Sequence, residues 1–123
     1  VAVRAIDHVT VAVPRELEQS VIDWYSRVLG FERLAKPEGT SGAGAWFRAG
    51  EVQLHITIEP APVDRAGHFG VVVDDLDRAV EQVQAAGSDI ASARTIPGRR
   101  RCYTRDPAGN TIEILSYDGA AGA

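Results

Sequence analysis

Asp106-Pro107-Ala108-Gly109-Asn110-Thr111-Ile112-Glu113-Ile114 reads as a tight turn running directly into a short strand. Asp and Asn bond to their own backbone, Pro presets φ, and Gly accepts positive φ, so each turn residue acts for its own reason. In the strand Ile112 and Ile114 share one face, while Thr111, Glu113 and Leu115 share the other. Glu113 is therefore a carboxylate held mid-strand, at a fixed step from a rigid turn. It is either a solvated surface residue or one aimed at a partner. The rest of the chain decides between the two.

Working back from the turn, Arg99 to Arg105 is expected as a strand, Ile96-Pro97-Gly98 as a turn and Asp89 to Ala93 as a further strand. Leu76, Ala79, Val80, Val83 and Ala86 recur at helical spacing. Asp74 or Asp75 can cap that helix and Gly87 closes it. His68 to Val73 alternates as a strand. Pro60 to Arg65 is the only linker candidate, leaving a first module at about 4–59, a second at about 66–117 and a tail at 118–123.

The first module carries the same elements. Ile6 to Val13 alternates strictly, with His8, Thr10 and Ala12 opposite Val9, Val11 and Val13. Leu17, Val21, Trp24 and Val28 follow at helical spacing up to Gly30. Phe31 to Ala35 makes a strand, Lys36 to Gly44 a loop, and Ala45 to Ala49 and Val52 to Glu59 a hairpin turning at Gly50-Glu51. His-Val-Thr-Val-Ala-Val at 8–13 answers His-Phe-Gly-Val-Val-Val at 68–73, and Gln53-Leu54-His55-Ile56 answers Thr111-Ile112-Glu113-Ile114. The chain is a strand–helix–strand–strand–strand unit written twice. A unit this short buries its sheet only by pairing, within the chain or across a homodimer.

That repeat gives Glu113 its company. His8 and His68 hold equivalent places in the two first strands, and His55 and Glu113 in the two last strands, all opposite the aliphatic faces. Approximate two-fold symmetry gathers three imidazoles and one carboxylate, a donor set that suits Zn, Fe(II), Mn, Co or Ni. Taken singly, each is more often an ordinary core or surface residue. Trp46 and Phe47 lie on opposite faces of one strand, so one of the two is expected to line the cavity; both are candidate substrate contacts. Arg101 and Tyr103 share a face with Arg105, where Arg99 to Arg105 either offers a cationic rim to an anionic substrate or is a solvated charge run. Cys102 is expected as a buried small hydrophobe.

Composition limits the alternatives. A chain of 123 residues, 45% hydrophobic and 24% charged, has the length of one domain and the balance of a globular protein. Its formal net charge of −4 argues against a general nucleic-acid binder. No apolar run reaches membrane-spanning length and no signal-peptide pattern is present, so a cytoplasmic location is expected. One cysteine excludes an internal disulfide and a multi-cysteine zinc site.

The sequence resembles the vicinal oxygen chelate superfamily, the glyoxalase / bleomycin resistance / extradiol dioxygenase group. The resemblance spans Ile6 to Tyr117. It rests on Ile6-Asp7-His8-Val9, on Trp24-Tyr25-Ser26-Arg27-Val28-Leu29-Gly30-Phe31, on Asp75-Leu76-Asp77 and on Asp106-Pro107-Ala108-Gly109-Asn110 before Glu113. It implies an α+β fold of paired βαβββ modules whose curved mixed sheets form a U-shaped cavity. It also implies a divalent metal held from the first and last strands, matching His8, His55, His68 and Glu113. Glyoxalase I usually has a carboxylate where His55 stands. The His8, His68 and Glu113 subset matches the two-histidine, one-carboxylate triad of the dioxygenases and fosfomycin-modifying transferases. The function so implied is a metal-dependent lyase, isomerase or dioxygenase that binds a small oxygenated substrate through two oxygens, with Glu113 as ligand or general base. The alternative is a metal-free protein that sequesters a drug or metabolite.

Overall fold

The computed structural model describes residues 2, 4–60 and 67–118. The chain divides into two compact units, residues 1–63 and 64–123. The expected linker, Pro60 aside, and the expected tail, Asp118 aside, lie outside the described residues.

In the first unit the alternating valines form β1 (His8–Val13). A 3-10 turn, Arg15–Leu17, leads into α1 (Glu18–Asp23). Beyond them come β2 (Glu32–Leu34), β3 (Ala45–Ala49) and β4 (Val52–Ile58). The sheet order is β1-β4-β3-β2. β1 runs parallel to β4, a pairing that needs the long crossover the chain supplies between them, and the other pairs are antiparallel. Val11, Val13, Leu54, Ile56 and Phe47 are buried on one face, with Val21, Ile22, Trp24 and Tyr25 of the helical segment. Burying each of the larger side chains contributes roughly 1.5–3 kcal/mol.

The helix differs from the simple spacing. At Trp24–Val28 it widens to a π-helical turn, where the neighbouring aromatics Trp24 and Tyr25 are both buried. Their rings meet edge to face at 5.0 Å. The extra residue also shows at the exit: the Phe31 amide donates to the Tyr25 carbonyl, six residues back. At the second helix the corresponding bond, Ser88 to Val83, spans five. Gly30 and Gly87, at φ 70° and 90°, make the left-handed exits that both ends require.

The second unit repeats the plan with β5 (His68–Val72), α2 (Leu76–Ala85), β6 (Ala91–Ser92), β7 (Arg99–Arg105) and β8 (Thr111–Tyr117). Its order is β5-β8-β7-β6. Asp75 caps α2, its side chain accepting from the Arg78 amide. The strand expected at Asp89 to Ala93 shortens to two residues, and that expected from Ile6 begins at His8. The outcome is the expected α+β arrangement: two four-stranded mixed sheets, each with its helix. Among the described residues no helix is long and apolar enough to cross a membrane.

Candidate metal and substrate site

The turn before β8 is built around Asp106, which is buried. One carboxylate oxygen accepts from the amides of Ala108 and Asn110, and the other from the Asn110 side chain, each at 2.9 Å. The Gly109 amide returns to the Asp106 carbonyl. These bonds fix where β8 starts and therefore which way Glu113 points.

Glu113 lies between β5 and β7, opposite Gly70 on one side and Tyr103 on the other. Gly70 has no side chain to stand over it; a Cβ there would come within 3.3 Å of Leu115. His68, one turn of the pleat away, reaches Oε1 of Glu113 with its Nε2 at 3.3 Å. Arg101 reaches the same oxygen diagonally from β7, its Nη1 also at 3.3 Å. The Glu113 and Arg101 side chains are only 12% and 11% exposed, against 37% for His68. Arg101 Nη1 also donates to the Tyr103 hydroxyl at 2.9 Å, and Nη2 donates to the Arg94 carbonyl at 2.7 Å. Its Nε is buried with no hydrogen-bond partner among the described residues, which costs roughly 1–3 kcal/mol. The Tyr103 ring stands edge-on to His68.

The first unit presents its own pair, arranged differently. His8 and His55 stack at 4.1 Å with 13° between their planes, and Trp46 covers the other face of His55 at 3.9 Å and 4°. The result is a continuous three-ring stack. Nδ1 of His8 donates to the Asp7 carboxylate at 2.8 Å, which leaves the lone pair on Nε2. His55 Nε2 donates to the Gln53 side-chain oxygen at 2.9 Å, leaving its lone pair on Nδ1. A partner on the second ring nitrogen is what a metal-binding histidine usually has. Desolvation, and next the charge of His8, hold the His55 pKa below its ordinary value, favouring neutral imidazole. Beside this stack lies a cavity of about 500 Å³, bordered by Thr10, Arg15, Lys36, Trp46, His55 and Glu59. The Lys36 ammonium donates to the carbonyls of Ser41 and Ala43, curling the Lys36–Gly44 loop over one side.

The structure describes the surroundings of two expected substrate contacts. Phe47 is fully buried on the helix-facing side of β3, its ring 6.2 Å from that of Tyr25, so it is core. Trp46, one residue earlier, points to the opposite face, as strand alternation requires. Arg101 is not a free cation on a rim, because its guanidinium is bonded to Glu113. Nor are its neighbours: Arg100 pairs with Asp77 at 2.8 Å, and Arg99 lies over the Tyr117 ring. Cys102 is buried as expected, and burial, with Glu113 second, pushes its thiol pKa up. The roles of Asp7 as partner of His8 and of Arg101 as partner of Glu113 were not anticipated. The first had a signal in the adjacent carboxylate; the second required the β7–β8 register.

The donor types fit a divalent ion, and one half of the geometry does too. Two donors about 2.1 Å from one ion stand roughly 3.0 Å apart at a right angle and roughly 3.4 Å apart at the tetrahedral angle. The His68–Glu113 separation of 3.3 Å falls in that interval. The stacked imidazoles do not converge: ring lone pairs lie in the ring plane, and two nearly parallel rings with centroids 4.1 Å apart cannot both aim a lone pair at one ion. In this arrangement an ion would accept His8 or His55, not both. Among the described residues no group of three or more His, Cys, Asp or Glu side chains is placed to hold a metal.

The family model for the Glyoxalase/Bleomycin resistance protein/Dioxygenase superfamily matches residues 5–114. A protein described as Glyoxylase I 4 from Arabidopsis thaliana is 24% identical over 93% of this chain and 71% of its own length. A solved glyoxalase family protein from Bacillus anthracis superposes with a TM-score of 0.86 at 28% identity, over 95% of this chain and 98% of that one. TnmS3, an antibiotic binding protein from Streptomyces sp. CB03234, superposes with a TM-score of 0.74 at 21% identity, over 93% and 96% of the two chains.

Proposed function

The chain belongs to the glyoxalase/bleomycin resistance protein/dioxygenase superfamily, and from that membership we propose a divalent-metal-dependent enzyme acting on a small oxygenated molecule. Its class is lyase, isomerase or dioxygenase. The observation that carries the reading is the 3.3 Å separation of His68 Nε2 and Glu113 Oε1, a span that suits chelation. In the first unit His8, with Asp7 behind it, keeps its Nε2 open to a ligand. His55 is the less open of the two, held in its stack between His8 and Trp46. When bound, the ion supplies Lewis-acid stabilisation to negative charge developing on two neighbouring substrate oxygens.

The chain's own residues supply the rest. Glu113, mostly shielded from water, holds one ligand position and is also the only carboxylate in its cluster able to accept a substrate proton. Tyr103 stands opposite Glu113 with a hydroxyl at hand for a substrate oxygen. In the first unit Trp46 and the Lys36–Gly44 loop border a cavity large enough for a small molecule.

Metal analysis of protein purified without chelator, beside a His68→Ala variant, tests the reading. Stoichiometric metal that the variant loses supports it; no metal in either protein overturns it. A second reading has its own observation. The three-ring stack beside a cavity of about 500 Å³ is a platform for a planar ligand, and the likeness to an antibiotic binding protein adds weight to sequestration of a drug or metabolite. That reading predicts ligand binding without metal, unaffected by His68→Ala.

A further inference from the structure

Arg101 is a side chain of this site that has no side-chain counterpart in the first unit. Counting along the two registers, Glu113 corresponds to His55 and Tyr103 to Trp46. The position answering Arg101 is then Gly44, where a Cβ would lie 2.1 Å from the Ile56 carbonyl oxygen. The first unit therefore has no room for a side chain where the second holds a guanidinium. That guanidinium is 11% exposed and fixed at three points: the Glu113 carboxylate, the Tyr103 hydroxyl and the Arg94 carbonyl. It addresses the same oxygen, Oε1, at the same distance as His68 Nε2.

We propose that Arg101 is a resident counter-cation to Glu113 that competes with the divalent ion and sets how tightly the site holds it. The proposal rests on the metal-dependent reading of the same site. A carboxylate oxygen already neutralised by a guanidinium is a weaker donor to a metal. A fixed positive charge beside the binding position also repels a divalent ion, and does so strongly where little water screens it. For Oε1 to take up an ion, Arg101 must withdraw or share it. Its buried Nε, which lacks a partner among the described residues, shows that the present arrangement leaves one of its donors unused. Arg101 is thus a positioning residue: in the metal-free protein it holds the Glu113 carboxylate aimed, and it limits affinity when the ion arrives.

The test is titration of chelator-stripped protein with Zn²⁺ and with Mn²⁺ alone, read by competition with a chromophoric chelator. Arg101→Gln removes the charge and keeps hydrogen-bonding capacity. It is expected to tighten metal binding by about tenfold or more. Arg101→Lys keeps the charge and is expected to stay within about threefold of wild type. Tyr103→Phe removes one of the three anchors without altering charge and is expected to tighten binding modestly, keeping the test decisive if Arg101→Gln does not fold. Wild-type binding with Arg101→Gln equal or weaker overturns the proposal and leaves the metal reading standing. The same holds if Arg101→Gln fails to fold and Tyr103→Phe binds no tighter than wild type. Binding by Arg101→Gln but not by wild type supports the proposal and overturns the metal reading for the native chain. Binding by neither overturns both.

Discussion

At Glu113 one carboxylate oxygen faces an imidazole and a guanidinium at the same 3.3 Å. The chemistry of the site turns on which of them a third group displaces. The histidines of the first unit are not equal in this account. His8 has a carboxylate behind it and an open Nε2, whereas His55 is held between two rings and by Gln53. His8→Ala is accordingly expected to weaken metal binding by about a hundredfold and His55→Ala by less than about tenfold, measured by calorimetric titration. Equal losses would mean that the stack opens in the bound protein. The sequence made all four candidates visible because strand alternation and the repeat determine which face a residue occupies. It could not show His8 stacked on His55, or Arg101 over Glu113, since such contacts depend on register and on side-chain torsions. Alternation also left Trp46 and Phe47 undivided until the helix-facing side of β3 was known.

Two local devices carry these residues. The first is the Asp106 turn, whose buried carboxylate accepts three hydrogen bonds before β8 begins. Asp106→Ala removes all three and is expected to cost on the order of 3 kcal/mol in urea denaturation, with metal affinity falling as β8 loses its fixed start. The second is Gly44, at φ 82° and with no space for a Cβ beside Ile56. Gly44→Ala is expected to destabilise by on the order of 3 kcal/mol or more. Gly30→Ala, at φ 70° with nothing within 4 Å, should cost only about 1 kcal/mol. Strands, hairpin, helix caps and the Asp106 turn were legible because their signals are local: alternation, turn residues, and glycine after a helical run. The π-helical turn at Trp24–Val28 was not, since it arises where two adjacent aromatics are both buried, and spacing alone records a single helix there.

Across the whole chain the repeat is not a decoration of the fold. Each unit carries a histidine on its first strand and a second candidate on its last, with a carboxylate in one unit where the other has His55. The departures from symmetry, Glu113 for His55 and Arg101 for Gly44, are where the two halves take on separate work. Since an ion bound only by the folded protein stabilises it, an ion at one hundred times its Kd adds about 2.7 kcal/mol. For a chain of this size that raises Tm by on the order of 10 °C. Metal content and Tm, taken together on wild type and Glu113→Gln with and without chelator, therefore decide whether Glu113 holds a metal ion. Near-stoichiometric divalent metal and a chelator-reversible rise in Tm are expected for wild type, both lost in Glu113→Gln. Equal metal content and an equal Tm response in the two proteins would contradict that expectation.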